Sequence, residues 1–124
     1  MTTKGWPVAV KDVLGRFGED VAAAHLEGEG LILVARNWRC REGEIDIVAV
    51  DGDVLVFCEV KTRSSLAFGS PAEAVSASKL RRLKVLAARW LADSPRVWID
   101  LRFDVVSVLR TPNGLVVDHL RAVL

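Results

Sequence analysis

The stretch GEIDIVAVDGDVLVFCEVK, residues 43–61, decides the fold. It reads as two short apolar strands around a tight turn. Asp51-Gly52 is a strong signal for a two-residue hairpin turn, which pairs residue 50 with 53, and so 46 with 57 and 44 with 59. A turn at Gly52-Asp53 pairs 46 with 59 and 44 with 61 instead. Side chains alternate along a strand, so both registers sort the residues onto the same two faces. One face carries Ile45, Ile47, Ala49, Val56, Cys58 and Val60. The other carries Glu44, Asp46, Val48, Leu55, Phe57, Glu59 and Lys61. A slip of one residue puts Glu59 among the isoleucines, and the hydrophobic pattern opposes it.

Three carboxylates and one ammonium are therefore gathered at the open end of this hairpin. Directly opposed side chains lie about 5 Å apart, and two carboxylates at that separation can share one divalent cation with ligand oxygens about 2.1 Å from magnesium. A salt-bridged strand end, with Lys61 neutralising its neighbours, is the simpler reading. It suits an exposed end. In a partly buried one, three carboxylates against one lysine leave negative charge uncompensated, which is costly. A bound metal removes that imbalance.

Working outward, residues 12–28 read as a helix with Leu14, Phe17, Val21, Ala22 and Ala24 at helical spacing, Asp12 as its cap and Gly28 and Gly30 at its end. Gly15 and Gly18 each cost such a helix about 1 kcal/mol, and are tolerated more easily where something comes close. LILVAR, 31–36, is a short strand, and NWRCRE connects it to the hairpin. The segment 62–70 reads as a loop. SPAEAVSASKLRRLKVLAARWLA, 70–92, reads as helical, and Ser70, Pro71 and Glu73 fit a capping box. Ser76 is a second possible cap, which makes a short turn followed by a main helix over about 77–92 with Leu80, Leu83, Ala87, Trp90 and Leu91 inward. Residues 97–109 form a long strand, TPNG a turn, and LVVDHL, 115–120, a last strand. The order is α, three strands, α, two strands, which makes a mixed α/β sheet flanked by helices.

At 124 residues the chain has room for one domain spanning 1–124, with 1–11 expected as a loosely ordered tail. Cys40 and Cys58 form no CxxC pair and no ligand cluster with His25 or His119, so both read as free thiols and Cys58 as a core filler. The N-terminus lacks the apolar run of a signal peptide, and no window approaches the ~18 apolar residues of a membrane span. A cytoplasmic protein without membrane partners is expected. Net charge is only +1, but its distribution is uneven: residues 1–62 hold seven Lys/Arg against eleven Asp/Glu, and residues 63–124 ten against five. An acidic site beside a basic surface suits a metal-dependent protein that holds phosphates, and a solvated helix face gives the same pattern. Arg102 and Asp104 alternate with apolar residues as an outward-facing pair, and His25 and His119 read as structural or surface histidines. Trp38 is placed to stack on a base or to fill a core or rim position.

The constellation Asp46 with Glu59-Val60-Lys61 resembles the catalytic core of the restriction-endonuclease-like superfamily, named PD-(D/E)XK for its motif. Glu19 of GRFGED fills the place of the additional helical acid, and Ile45 stands where the motif has its proline. GRFGEDVAAAHL, GEIDIVAVDGDVLVFCEVKTRS, AVSASKLRRL and LRFDVVSV are, in this order, similar to the blocks of the YraN-like family of small bacterial proteins, which carries this fold.

The resemblance implies a metal-dependent nuclease acting on DNA, with branched or damaged structures among its substrates. Asp46, Glu59 and the Val60 carbonyl would hold Mg2+ or Mn2+, Lys61 would orient water or support the transition state, and Glu19 would bind a second metal or a metal water. Glu44 is a lesser candidate. Lys79, by the same resemblance, would contact phosphate, with Arg63, Arg81 and Arg82 extending the basic surface and the 62–70 loop closing over substrate. A small nuclease that cuts both strands commonly works as a dimer, so a homodimer is a candidate state. Two other functions fit the same fold: a nucleic-acid-binding module without cleavage, and an interaction protein whose apolar strand edges serve a partner.

Overall fold

The computed structural model describes residues 6–64 and 76–123, with side chains from residue 15 onward. The elements are α1 (Trp6–Gly28), β1 (Ile32–Cys40), β2 (Gly43–Asp51), β3 (Val54–Arg63), α2 (Ala77–Ala92), β4 (Asp100–Thr111) and β5 (Gly114–Leu120). They build one five-stranded sheet in the order β1-β2-β3-β4-β5. Only β3 and β4 are parallel, joined by the crossover that contains α2, and the other three pairings are antiparallel. The expected element order holds. Residues 6–11, expected as tail, belong to α1, so Asp12 lies inside the helix rather than capping it. Asn37–Cys40, expected as a connection, continue β1 opposite Gly43–Ile45 and their neighbours.

The hairpin turn is Gly52-Asp53, not Asp51-Gly52, because Asp51 pairs with Val54. Gly52 takes φ 63, whereas Asp53 is not among the positive-φ residues. Glycine at the first turn position alone is the requirement of a type II′ turn, whose twist matches the flanking strands.

Each sheet face packs on one helix. Ala22, Ala23 and Leu26 of α1 meet Ile47, Ala49, Val56, Cys58, Val106 and Val108. Leu83, Leu86 and Ala87 of α2 meet Ile45, Val48, Leu55, Phe57 and Phe103. Phe57 lies at the second core's centre, stacked on Phe103 with centroids 5.6 Å apart and meeting Trp90 edge-on at 5.9 Å. Cys58 is the core filler expected, fully buried beneath α1. The cap of α2 is also as expected, with the Lys79 N–H donating to Ser76 Oγ at 3.2 Å. The Ser70–Glu73 capping box lies outside the described residues, as does the 62–70 loop from residue 65; Thr62 and Arg63 belong to β3.

One strand departs from simple alternation. Ile45 packs beneath α2, although Ile47 and Ala49 pack beneath α1. Between them the face changes, at Asp46. Asn37 lies across from that position in the β1–β2 register and takes φ 52, a conformation asparagine tolerates. The expected single face holding Glu44, Asp46, Val48, Phe57 and Glu59 is therefore split. Val48, Leu55 and Phe57 face α2, whereas Asp46 and Glu44 reach the α1 side, toward Glu19.

Arg102 and Asp104, expected to face outward, are inside: Asp104 is fully buried. Its carboxylate accepts from Arg102 through Nε and Nη2, from the Ala122 N–H at 3.0 Å and from His119 Nε2 at 2.6 Å. His119 Nδ1 meets Glu29 Oε1 at 2.6 Å, and Arg102 continues to Asp51 at 2.9 Å. A strand position can hold charge inward when every atom is paired this way. The network joins the end of α1 to β4, β5 and the hairpin turn. The hydrogen bond to Asp104 holds His119 above the ordinary histidine range, and the hydrogen bonds from His119 and Arg102 keep Asp104 below the carboxylate range despite its burial.

Gly18 explains itself by contact. It is buried, and a Cβ there would stand 1.8 Å from Thr62 Oγ1 and 2.9 Å from Thr62 Cβ. The absent side chain lets α1 lie directly on β3, which sets the depth at which Glu19 enters the sheet end. Gly18→Ala should lower stability by about 1–3 kcal/mol in urea unfolding, and Thr62→Ala should recover part of the loss. An unchanged midpoint for Gly18→Ala would contradict this packing.

Candidate metal centre

The β2–β3 ladder is regular from Asp51–Val54 down to Ile47–Cys58 and stops there. In place of the next strand-to-strand bond, the Val60 N–H donates to Asp46 Oδ2 at 2.8 Å. The Asp46 carboxylate thus stands between the two strands where they part. Glu44 precedes it by two residues on β2, and Glu19 reaches the same place from α1. One carboxylate oxygen of each of these three residues lies within 4.8 Å of the other two. Oxygens on opposite sides of one magnesium ion stand about 4.2 Å apart, twice a ligand distance of ~2.1 Å. Carboxylate oxygens this close can be gathered around one such cation by small side-chain rotations. All are hard oxygen donors, the set that magnesium or manganese prefers over zinc.

The electrostatics are those of crowded, partly buried carboxylates. Burial, with the charges of Glu59, Glu19 and Glu44 adding to it, raises Asp46 to about 7 against the lowering effect of the Val60 hydrogen bond. Burial and Glu44 also raise Glu19, while a hydrogen bond from Asn37 and the charge of Arg36 oppose them. Arg39 reaches Glu44 only at 3.6 Å from an exposed position, and Arg36 pairs with Asp20 at 2.6 Å.

On the other side of the parted strands lie Glu59, Lys61 and Lys79. Lys79 Nζ meets Glu59 Oε2 at 3.2 Å, both partly buried. Lys61 is held below the usual lysine range, first by the close approach of Lys79, a second ammonium, then by burial, with Glu59 and Asp46 opposing. Of the residues singled out in the sequence, the structure brings Glu19 and Asp46 together and sets Glu59, Lys61 and Lys79 beside them. Val60 contributes its N–H to Asp46. Glu44, the lesser candidate, completes the carboxylate trio. Arg81 and Arg82 are exposed on α2 and stand apart from the carboxylates, and Arg63 ends β3.

A second cluster, Cys58, Asp104 and His119, has equally close donor atoms. It is already satisfied. Both Asp104 oxygens accept N–H donors, and burial pushes the Cys58 thiol up, far from thiolate formation. Among the described residues no helix is long and apolar enough to cross a membrane.

Residues 18–108, which include Glu19, Glu44 and Asp46, match the family described as Uncharacterised protein family UPF0102. Similar relatives include a UPF0102 protein of Frankia alni, 60% identical over 112 residues, 90% of this chain and 93% of that one. Another, from Nocardioides sp., is 52% identical over 122 residues, 98% of both chains. The chain belongs to the UPF0102 family, the YraN-like family that its sequence blocks resemble.

An acid whose folded pKa lies above its unfolded value loses stability as pH rises between the two. For Asp46 that window runs from 3.8 to about 7, and the cost is then constant above it. Asp46→Asn keeps an oxygen for the Val60 N–H and removes the charge. In metal-free buffer it should be more stable than the wild type by roughly 1–3 kcal/mol at about pH 8, with the difference vanishing below about pH 4. Coincident thermal unfolding at the higher pH would show that burial does not strain the Asp46 carboxylate.

Proposed function

We propose that the protein is a divalent-metal-dependent phosphodiester hydrolase acting on DNA, built on a restriction-endonuclease-like core. The observation that carries this reading is the meeting of Glu19, Glu44 and Asp46 within 4.8 Å where β2 and β3 part, beside the Lys61–Lys79 pair. The Asp46 and Glu59-Val60-Lys61 pattern on adjoining strands supports it.

Glu44 and Asp46 would hold the cation, with Glu19 closing the set from α1. The bound ion supplies water activation and charge neutralisation at the phosphate. The rest is the work of this chain's own groups. The Val60 N–H fixes the Asp46 carboxylate in one orientation. Gly18 lets Glu19 approach without displacing β3. Lys61, below the usual lysine range, is suited to orient the attacking water and exchange a proton with it. Lys79 holds Glu59 and adds positive charge where the transition state is most negative. Arg81 and Arg82 extend that charge along the exposed face of α2 for phosphates further along the strand.

Incubation with manganese and a labelled panel of single-stranded, duplex, flap and four-way-junction DNA tests this directly. Wild-type protein should cleave at least one member, and Asp46→Asn should reduce the rate at least about a hundredfold, since even outer partners of metal ligands are worth 10–100-fold. Asp46→Asn should leave DNA binding intact. Folded protein that leaves the whole panel uncut in manganese would contradict the proposal.

A further inference from the structure

On the α2 side of the sheet is a cavity of about 400 Å3 walled by Trp38, Trp90 and Trp98 with Asp93, Ser94 and Arg96. Its volume falls in the ~300–1,000 Å3 range of small-ligand sites. We propose that this three-indole pocket receives an unpaired nucleobase, which rests on the reading above that the substrate is nucleic acid and narrows it to DNA with a single-stranded segment.

The pocket's chemistry selects a flat, neutral group with a hydrogen-bond acceptor. Trp98, one of the lining residues, has a buried Nε1 with no hydrogen-bond partner among the described residues, an unpaired donor next to the pocket. The Arg96 guanidinium stacks on the Trp98 ring, 3.8 Å from its centroid. That takes the cation position on this indole and disfavours a cationic ligand. The Asp93 carboxylate disfavours an anionic one. A nucleobase is planar and uncharged, carries ring nitrogens or carbonyls that accept, and brings its phosphate outside, toward Arg96. Aromatic walls hold bases with little regard to sequence. A base paired and stacked in a duplex has no free face to offer, so the ligand is an unpaired one.

The pocket's place in the fold fits the same ligand. Trp38 pairs with Ile45, the residue between Glu44 and Asp46. It follows Asn37, which bonds Glu19. Pocket and carboxylate trio therefore flank one pair of strand positions from the two sides of the sheet, and β1 is the edge strand there. A single strand crossing that edge would reach the metal centre within a few nucleotides of the bound base. None of Trp38, Trp98 or Arg96 has a part in the hydrolysis described above.

The test is tryptophan fluorescence of the full chain without metal, titrated with short oligothymidylate, an abasic oligonucleotide of equal length, the matching duplex and N-acetyltyrosinamide. Oligothymidylate should quench, and the abasic strand should bind about tenfold more weakly or less. Trp38→Leu should lower oligothymidylate affinity about tenfold. Trp98→Phe, which keeps an aromatic ring and removes the donor, should lower it severalfold, with thermal unfolding confirming both folds. Arg96→Ala, outside the core, should lower affinity and reduce its salt dependence. Equal binding of base-bearing and abasic strands, or variants that bind like wild type, would overturn the pocket while leaving cleavage by the carboxylates standing. Saturable quenching by N-acetyltyrosinamide with none by oligothymidylate would assign the pocket to a protein partner and also overturn it. Base-dependent quenching in a protein that cleaves nothing would sustain the pocket and sink the hydrolase reading instead.

Discussion

The hydrogen bond from the Val60 N–H to the Asp46 carboxylate is the constraint on which the rest of this molecule turns. A backbone donor at the end of a sheet must be satisfied, and the usual partner is a neighbouring strand. Here a buried side chain takes that role, so β2 and β3 can part without an orphaned N–H. The parting makes room for Glu19 from one side and for Glu59, Lys61 and Lys79 on the other. It also forces the change of face at Asp46 that places Ile45 under α2 and Ile47 under α1.

This arrangement works against stability. Burial and neighbouring carboxylates raise Asp46 to about 7, so the metal-free protein carries an electrostatic strain at neutral pH. The buried carboxylate of Asp104 gives the contrast. It sits in the same sheet, fully buried, and is satisfied by Arg102, His119 and a backbone N–H. Charge in the sheet is thus fully compensated where it ties elements together and only partly compensated where the elements part. Partly compensated charge of this kind concentrates at functional sites.

The order of elements was legible in the sequence because hydrophobic periodicity switches cleanly between helix and strand. The helix ending at residue 92 was legible as well, and Ser76 was one of two caps that local chemistry offered for its start, beside Ser70. The hairpin register was not, because Asp51-Gly52 and Gly52-Asp53 are both good turns and only the backbone of Gly52 separates them. The split of the carboxylates between faces was hidden for a related reason. Alternation assumes an unbroken ladder, and the signal that it breaks is Asn37, a residue suited to positive φ inside an otherwise strand-like run. Arg102 and Asp104 looked outward by the same rule. Their partners, His119 and Asp51, come from distant parts of the chain that no local pattern could supply. Glu44 was undervalued because its closeness to Glu19 depends on Gly18, whose role is visible only once Thr62 lies against it.

The most direct test of the account is calorimetric titration of the wild type with manganese at about pH 8, where Asp46 is ionised, beside Asp46→Asn and Glu44→Gln. The account predicts saturable binding by the wild type that is lost in Asp46→Asn and weakened at least about tenfold in Glu44→Gln. Binding of equal strength by all three proteins, or none by the folded wild type, would contradict a metal centre at the parting of β2 and β3.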